Sequence, residues 1–337
     1  MNAKQIYELG VKLGINADPR GKTGVERWIN LEKKKFEKTP EEEREFFDKE
    51  RLKNPYADTR FYCGDPDKEV KTVLAGIDIE VPEIALINSL QQKTNSNFNQ
   101  PLANKIDLII THHPQGRALA ALDENMQMMA DMMMTYGVPI NIAEGVMRER
   151  MAKIKRVVAP ENHYRSIDAA KMADYTMFNM HTPCDNLVFE FLQNLMENPP
   201  TGEKPETLGE IIELLLQVPE YRVAALQGAG PVIFAGSPEN RAGRIVAADI
   251  TGGTSPAKEV YPELVRAGIG TTIGMHMNEE SREEAIKNHL NIVIAGHLSS
   301  DSLGMNLYLD ELEKQGIEII PISGLIRVSR IKSKSES

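Results

Sequence analysis

The sequence predicts an α/β fold. Three observations carry that reading: short apolar runs of strand length from residue 70 onward, helical stretches between them, and turn residues separating the two. The first 55 residues differ in texture. Ile6, Leu9 and Leu13 fall at helical spacing, and Asn16-Ala17-Asp18-Pro19-Arg20-Gly21 interrupts the pattern. Residues 32–50 alternate in charge with few apolar anchors, which reads as a solvated helix. Gly21-Lys22-Thr23 has the ending of a phosphate loop, but Asn16 stands where the motif requires glycine and no strand precedes it. That reading is rejected.

The elements then follow in order. A strand at 73–77 leads to a helix at 82–92 and a strand at 106–110. Residues 118–136 read as one helix with six methionines, Met126, Met128, Met129, Met132, Met133 and Met134. They are not confined to one helical stripe, so core packing or an oligomer contact outweighs a soft-metal site. Residues 144–156 are helical and 175–180 strand-like. Asn198-Pro199-Pro200-Thr201-Gly202 marks a loop, followed by a helix at 208–216. Further strands are expected at 222–226, 232–235, 245–249, 270–274, 292–295 and 317–322, with helices at 256–267, 279–288 and 302–315. No repeat of solenoid period is present.

Composition narrows the class. A net charge of −10 gives no electrostatic reason to expect nucleic acid as a partner. The basic cluster at 327–334 reads as a frayed, solvated terminus. Cys63 and Cys184 are too few for a disulfide framework and point to a reducing compartment. The amino terminus is amphipathic rather than apolar, and no run of about 18 apolar residues occurs. A soluble, cytoplasmic protein with no membrane partner is expected.

Chemistry concentrates at three apolar strands that end in histidine. They are Ile109-Ile110-Thr111-His112-His113-Pro114, Phe178-Asn179-Met180-His181-Thr182-Pro183-Cys184-Asp185, and Ile292-Val293-Ile294-Ala295-Gly296-His297-Leu298-Ser299-Ser300-Asp301. Carboxyl ends of strands in one sheet converge at one edge, where open α/β sheets place their ligands. Adjacent side chains on extended backbone diverge, so His112 and His113 do not easily share one ion. They serve two ions, or one binds while the other packs. Imidazole with carboxylate suits zinc, iron or manganese, and a carboxylate can bridge two ions. Each piece alone has a plainer reading. Asp301 fits the first turn of a helix, Cys184 fits a buried small hydrophobe, and His163 and His289 read as surface residues.

Together the segments resemble the NIF-three-like family of dinuclear metal proteins, named for the NGG-one interacting factor three and also labelled GTP cyclohydrolase I type 2 homologues. The resemblance rests on the paired His112-His113, on His181-Thr182-Pro183-Cys184-Asp185, and on Gly296-His297 through Asp301. Gly64-Asp65-Pro66-Asp67 with Asp78, and Ile250-Thr251-Gly252-Gly253-Thr254, resemble the openings of the family's two halves. It implies two related α/β halves around a shared metal-site cleft, at about 56–200 and 220–328. A helical extension at 1–55, a helical insertion at about 115–170 and a disordered basic tail at 329–337 are additions. By position it makes His112, His113, Asp185, His297 and Asp301 ligands of two divalent zinc, iron or manganese ions. His181 stands at the open face as a catalytic group that holds an oxyanion or moves a proton.

This chain departs from the family pattern in having Asp301 where glutamate is usual, and Met275 then His276 after Gly274 where an acidic residue is common. The implied activity is hydrolysis of a phosphoester, amide or ring carbon in a small nucleotide-like or phosphorylated substrate. A non-catalytic metal carrier or scaffold is the alternative, and a homo-oligomeric, hexameric ring is the implied assembly. Gly252-Gly253-Thr254-Ser255 reads as a tight turn in preference to a phosphate cradle.

Overall fold

Short, largely apolar strands, buried on both faces, form the centre of the fold, as parallel sheets covered by helices require. The computed structural model describes residues 1–92 and 105–331. Nine strands occur there: β1 (Phe61–Cys63), β2 (Thr72–Gly76), β3 (Leu108–Thr111), β4 (Thr176–Asn179), β5 (Val232–Ala235), β6 (Ile245–Asp249), β7 (Thr271–Gly274), β8 (Asn291–Ile294) and β9 (Glu318–Ile322). They make two sheets, ordered β1-β4-β3-β2-β9 and β5-β8-β7-β6. In each, one antiparallel edge strand, β1 or β5, flanks parallel strands. Apart from β9, the second sheet repeats the order of the first. The protein is α/β, with two halves of one topology.

The repeat extends to the helix after the fourth strand of each half. One helix spans Thr182–Glu197, with His181 as its N-cap residue and Pro183 in its first turn. The other spans His297–Glu313. Each half therefore presents a histidine and, four residues on, an aspartate along one helix face. The two helices pack against each other through Gly304. A Cβ there would lie 2.5 Å from the Cys184 carbonyl oxygen and 2.9 Å from Val188 Cγ2, so only glycine permits this approach.

The amino-terminal helix Ala3–Asn16 starts at a capping box between Asn2 and Gln5. Ala3, Ile6, Tyr7 and Val11 enter the core beneath β2, β3 and β4, and Tyr308 donates to the Ile6 carbonyl at 3.0 Å. Gly10 and Gly14 let this helix close on Met180 and Pro183, which flank His181. The following helix Gly21–Lys38 is only partly solvated, because buried Glu32 pairs with Arg51 at 3.0 Å.

Several expectations are corrected. Residues 222–226 lie in a helix, Pro219–Leu226, whose buried face is Glu220, Tyr221 and Ala224. The single helix expected at 118–136 is broken into Gly116–Ala120, Leu122–Asn125 and Gln127–Tyr136. Its methionines 126, 128, 129, 132 and 133 pack with Val246, Tyr261 and Ile292 in one core. The helix expected at 302–315 starts five residues earlier, at His297, and that expected at 256–267 shortens to Val260–Arg266. The basic cluster is not frayed as far as it is described: Arg327 pairs with Asp310 at 2.7 Å, and Arg330 with fully buried Glu220 at 2.8 Å. Residues 332–337 of the expected tail lie outside the described residues. His163 is only half-buried, yet both its ring nitrogens are covered by protein. No helix among the described residues is long and apolar enough to cross a membrane.

Replacing Gly304 by alanine is expected to cost about 1–3 kcal/mol by overpacking and to separate the two helix starts. Urea unfolding and bound-metal analysis of the Gly304→Ala protein check this. Unchanged stability would show that the close approach is not a constraint.

Candidate metal centre

The carboxyl ends of β3 and β4 and the start of His297–Glu313 converge, and six side chains meet there. His112 is 1% exposed, and its ring lies 5.2 Å from that of His113 and 5.0 Å from that of His181. His113 in turn lies 5.4 Å from the ring of His297. Three overlapping groups have ligand atoms close enough to hold an ion: His112, His113 and His181; His113, His297 and Asp301; and His112, Asp185 and Asp301. The structure thus brings together every residue singled out from sequence, and the two rings of His112-His113 diverge around Asp301.

The distances separate this cluster from ordinary ion pairing. His112 Nε2 is 3.4 Å from Asp185 Oδ1 and 3.5 Å from Asp301 Oδ1. The other oxygen of Asp301, Oδ2, lies 3.4 Å from His113 Nε2 and 3.6 Å from His297 Nε2. Direct hydrogen bonds between such groups are shorter, at about 2.7–2.9 Å. Bonds of ~2.1 Å to a tetrahedral ion would put neighbouring ligand atoms about 3.4 Å apart. His112 Nε2, Asp185 Oδ1 and both oxygens of Asp301 are buried and make no hydrogen bond to the described residues. Four orphaned polar atoms facing one another fit a cation, and imidazole with carboxylate suits zinc, iron or manganese.

Hydrogen bonds behind the rings fix their orientation. His112 Nδ1 faces the Met180 carbonyl at 3.0 Å, which only accepts, so this nitrogen carries a proton and Nε2 is the atom turned towards Asp185 and Asp301. His113 Nδ1 is held by Asp78 at 2.5 Å, and His181 Nδ1 by Asp58 at 2.8 Å. Asp58 is fully buried and also accepts from Thr182 at 2.7 Å and Asn125 at 3.1 Å. Asp58 went unread in the sequence, since it precedes a three-residue edge strand and belongs to no spaced motif. Asp78 was noticed only as part of an opening segment, although its place two residues beyond β2 was a usable signal.

Charge is strongly coupled here. Burial works against charge on His113, but the carboxylates of Asp301 and Asp78 outweigh it and raise its pKa to about 9. Burial likewise opposes charge on Asp301, yet the surrounding imidazoles, His112 first, hold it well below the carboxylate range.

The second half supplies the facing wall. His181, Asp185, Asp249, Thr251, Gly253, Thr254, His276, His297 and Asp301 line a narrow cleft of about 20 Å³, room for roughly one water molecule. His276 Nδ1 lies 2.7 Å from Ser255 Oγ and 3.7 Å from Asp249 Oδ2, and burial lifts the Asp249 carboxyl to about 6. Gly252 and Gly253 both have positive φ, and a Cβ on Gly253 would sit 3.4 Å from Asp58 Oδ2. The tight contacts of this turn are with Met129 Cγ, 2.7 Å from a Cβ on Gly252, and with Leu122 Cδ1, 3.0 Å from one on Gly253.

A pH effect follows for the metal-free protein. Below the ordinary value of 6.5, His113 is charged whether folded or not, and its ion pairs contribute their full stabilisation. That contribution is lost as pH rises through about 9. Thermal unfolding of metal-free protein should therefore show Tm falling between pH 6.5 and 9.5, with zinc abolishing the fall. A Tm independent of pH without metal would contradict the coupling.

No family model and no curated protein matches the chain. Among solved structures it is similar to a NIF3 superfamily protein from Sphaerobacter thermophilus, with 24% identity and a TM-score of 0.66 over 80% of this chain and 92% of that one. Reduced HcgD from Methanocaldococcus jannaschii matches at 15% identity and a TM-score of 0.46, over 77% of this chain and 87% of that one. TTHA1606 from Thermus thermophilus matches at 14% and 0.44, over 82% and 92%. The chain has the fold of the Sphaerobacter NIF3 superfamily protein and carries a histidine and aspartate cluster able to bind metal.

Proposed function

We propose that this protein is a dinuclear metal-dependent hydrolase of the NIF-three-like family. His112, Asp185 and Asp301 hold one zinc, iron or manganese ion, and His113, His297 and Asp301 hold the other. The observation that carries this reading is the division of Asp301: one oxygen faces His112, and the other faces His113 and His297. A close pair of ions supplies a polarised substrate oxygen and a bound water of lowered pKa. The chain supplies orientation. Asp78 and the Met180 carbonyl aim His113 and His112, and Asp58 keeps the Nε2 of His181 towards the open face, 4.0 Å from Asp185 Oδ2. There His181 takes up or delivers a proton.

The cleft favours a small substrate. Among the described residues that line it there is no lysine or arginine, so from these a polyphosphate chain would find no countercharge beyond the ions. This turns the reading away from nucleoside triphosphates and towards compact phosphoesters, amides or ring carbons. The hexameric ring belongs to the same family reading. A metal carrier is the second reading, supported by the exposed rim: the His297 side chain is 45% exposed against 1% for His112.

His112→Ala and His297→Ala should each lose one ion, and Asp301→Ala both, while the protein stays folded. Elemental analysis after dialysis without chelator checks this, and full metal content in all three would sink the assignment. A panel of phosphoesters, nucleotides and amides with the native metal then separates hydrolase from carrier. A carrier turns over none of them and passes its ions to a chelating acceptor.

A further inference from the structure

The repeat of topology places equivalent residues around the cleft. β7 ends at Gly274 as β3 ends at Thr111, and each pairs with the end of the following strand. Met275 and His276 thus occupy the places of His112 and His113. His181 and His297 are also equivalent, each four residues ahead of an aspartate. Ring contacts agree with this relation: His113 to His181 is 5.8 Å, and its counterpart His276 to His297 is 4.7 Å. One side of this quartet is closed, His113 and His297 standing 5.4 Å apart in a candidate metal group. The other side, between His181 and His276, opens on the cleft. Among the described residues, no group of three potential ligands close enough to hold an ion includes His276.

Two acceptors face this open side. His181 commits its Nδ1 proton to Asp58, which leaves a lone pair on Nε2. Asp249 is 6% exposed and lies beside Ser255 and His276, and its Oδ2 makes no well-formed hydrogen bond to the described residues. The nearby His276 Nδ1 is engaged by Ser255. Arg150 directs its Nε to the Ser255 carbonyl at 3.1 Å and does not line the cleft. A buried acceptor without a donor is costly unless a ligand supplies one.

We propose that the open side of the cleft seats an N–H-bearing group of the substrate, with Asp249 as the acceptor that selects it. The bond hydrolysed is then a carbon–nitrogen bond of a small amide, cyclic amide or amidine. A phosphate or carboxylate would face the lone pairs of Asp249, whereas an N–H satisfies them. In the reaction the oxygen of water bonds to the carbon and the carbon–nitrogen bond breaks. The nitrogen leaves with the electron pair and takes a proton from that water. No oxidant or further reactant enters. The inference rests on the dinuclear reading.

The test uses zinc-loaded full-length protein and two probes, acetohydroxamic acid and N-methylacetohydroxamic acid, which lacks the N–H. Calorimetric titration should show the first binding about tenfold or more tighter, the effect of one hydrogen bond to a charged group. Asp249→Ala should bring the two affinities together, and the isosteric Asp249→Asn should narrow the gap if the alanine protein does not fold. Zinc content should not change in either variant. Equal affinities in the unaltered protein, or no binding of either probe while zinc is retained, overturn the acceptor seat and leave the dinuclear reading standing. Protein that retains no zinc overturns both.

Discussion

A single buried carboxylate organises this molecule. Asp301 is 1% exposed, faces three imidazoles and satisfies neither of its oxygens by hydrogen bonding to the described residues. Burying such a charge is expensive unless something compensates it. The imidazoles do so in part, and a pair of cations would do so more fully. Much of the surrounding architecture serves to make that position possible. Gly304 admits the neighbouring helix, and Ser302 Oγ, next along the chain, accepts from the backbone of Ile326.

The duplicated topology explains how one cleft draws chemistry from both halves, and its imperfections explain why the halves differ in role. The first half contributes two adjacent imidazoles after β3. The second has Met275 in place of the inner one, and this side chain is buried in an apolar cluster. Asp78, half exposed, holds His113 closely, whereas buried Asp249 stands off from His276. One topology is thus used twice, with the clustered imidazoles and carboxylates on one side and an open cleft on the other.

How much of this was legible in the sequence depends on range. The strands at β2, β3 and β8 are readable because each is a short, largely apolar run, and the histidines stand out because they follow such runs. The helix Thr182–Glu197 is hard to read from sequence because it starts directly at His181 with Pro183 in its first turn, a place where proline is at home. Residues 222–226 misled because Val223 and the alanines look strand-like until Pro219 is taken as a helix start. Asp58 and Asp249 could not be ranked from sequence. Their importance comes from partners 123 residues away, at His181, and 27 residues away, at His276.

The last strand has a consequence for the order in which the protein becomes itself. β9 adds to the first sheet beside β2, and Thr72 meets Glu318 across 246 residues. The first sheet therefore cannot be completed before residues 318–322 have been made, and Asp301 precedes that closing strand by 17 residues. Contacts of such separation fold late. Metal offered to a nascent chain would meet His112, His113 and Asp185 with no partner from the far half. The candidate cluster is therefore assembled only when the far half has joined the near one.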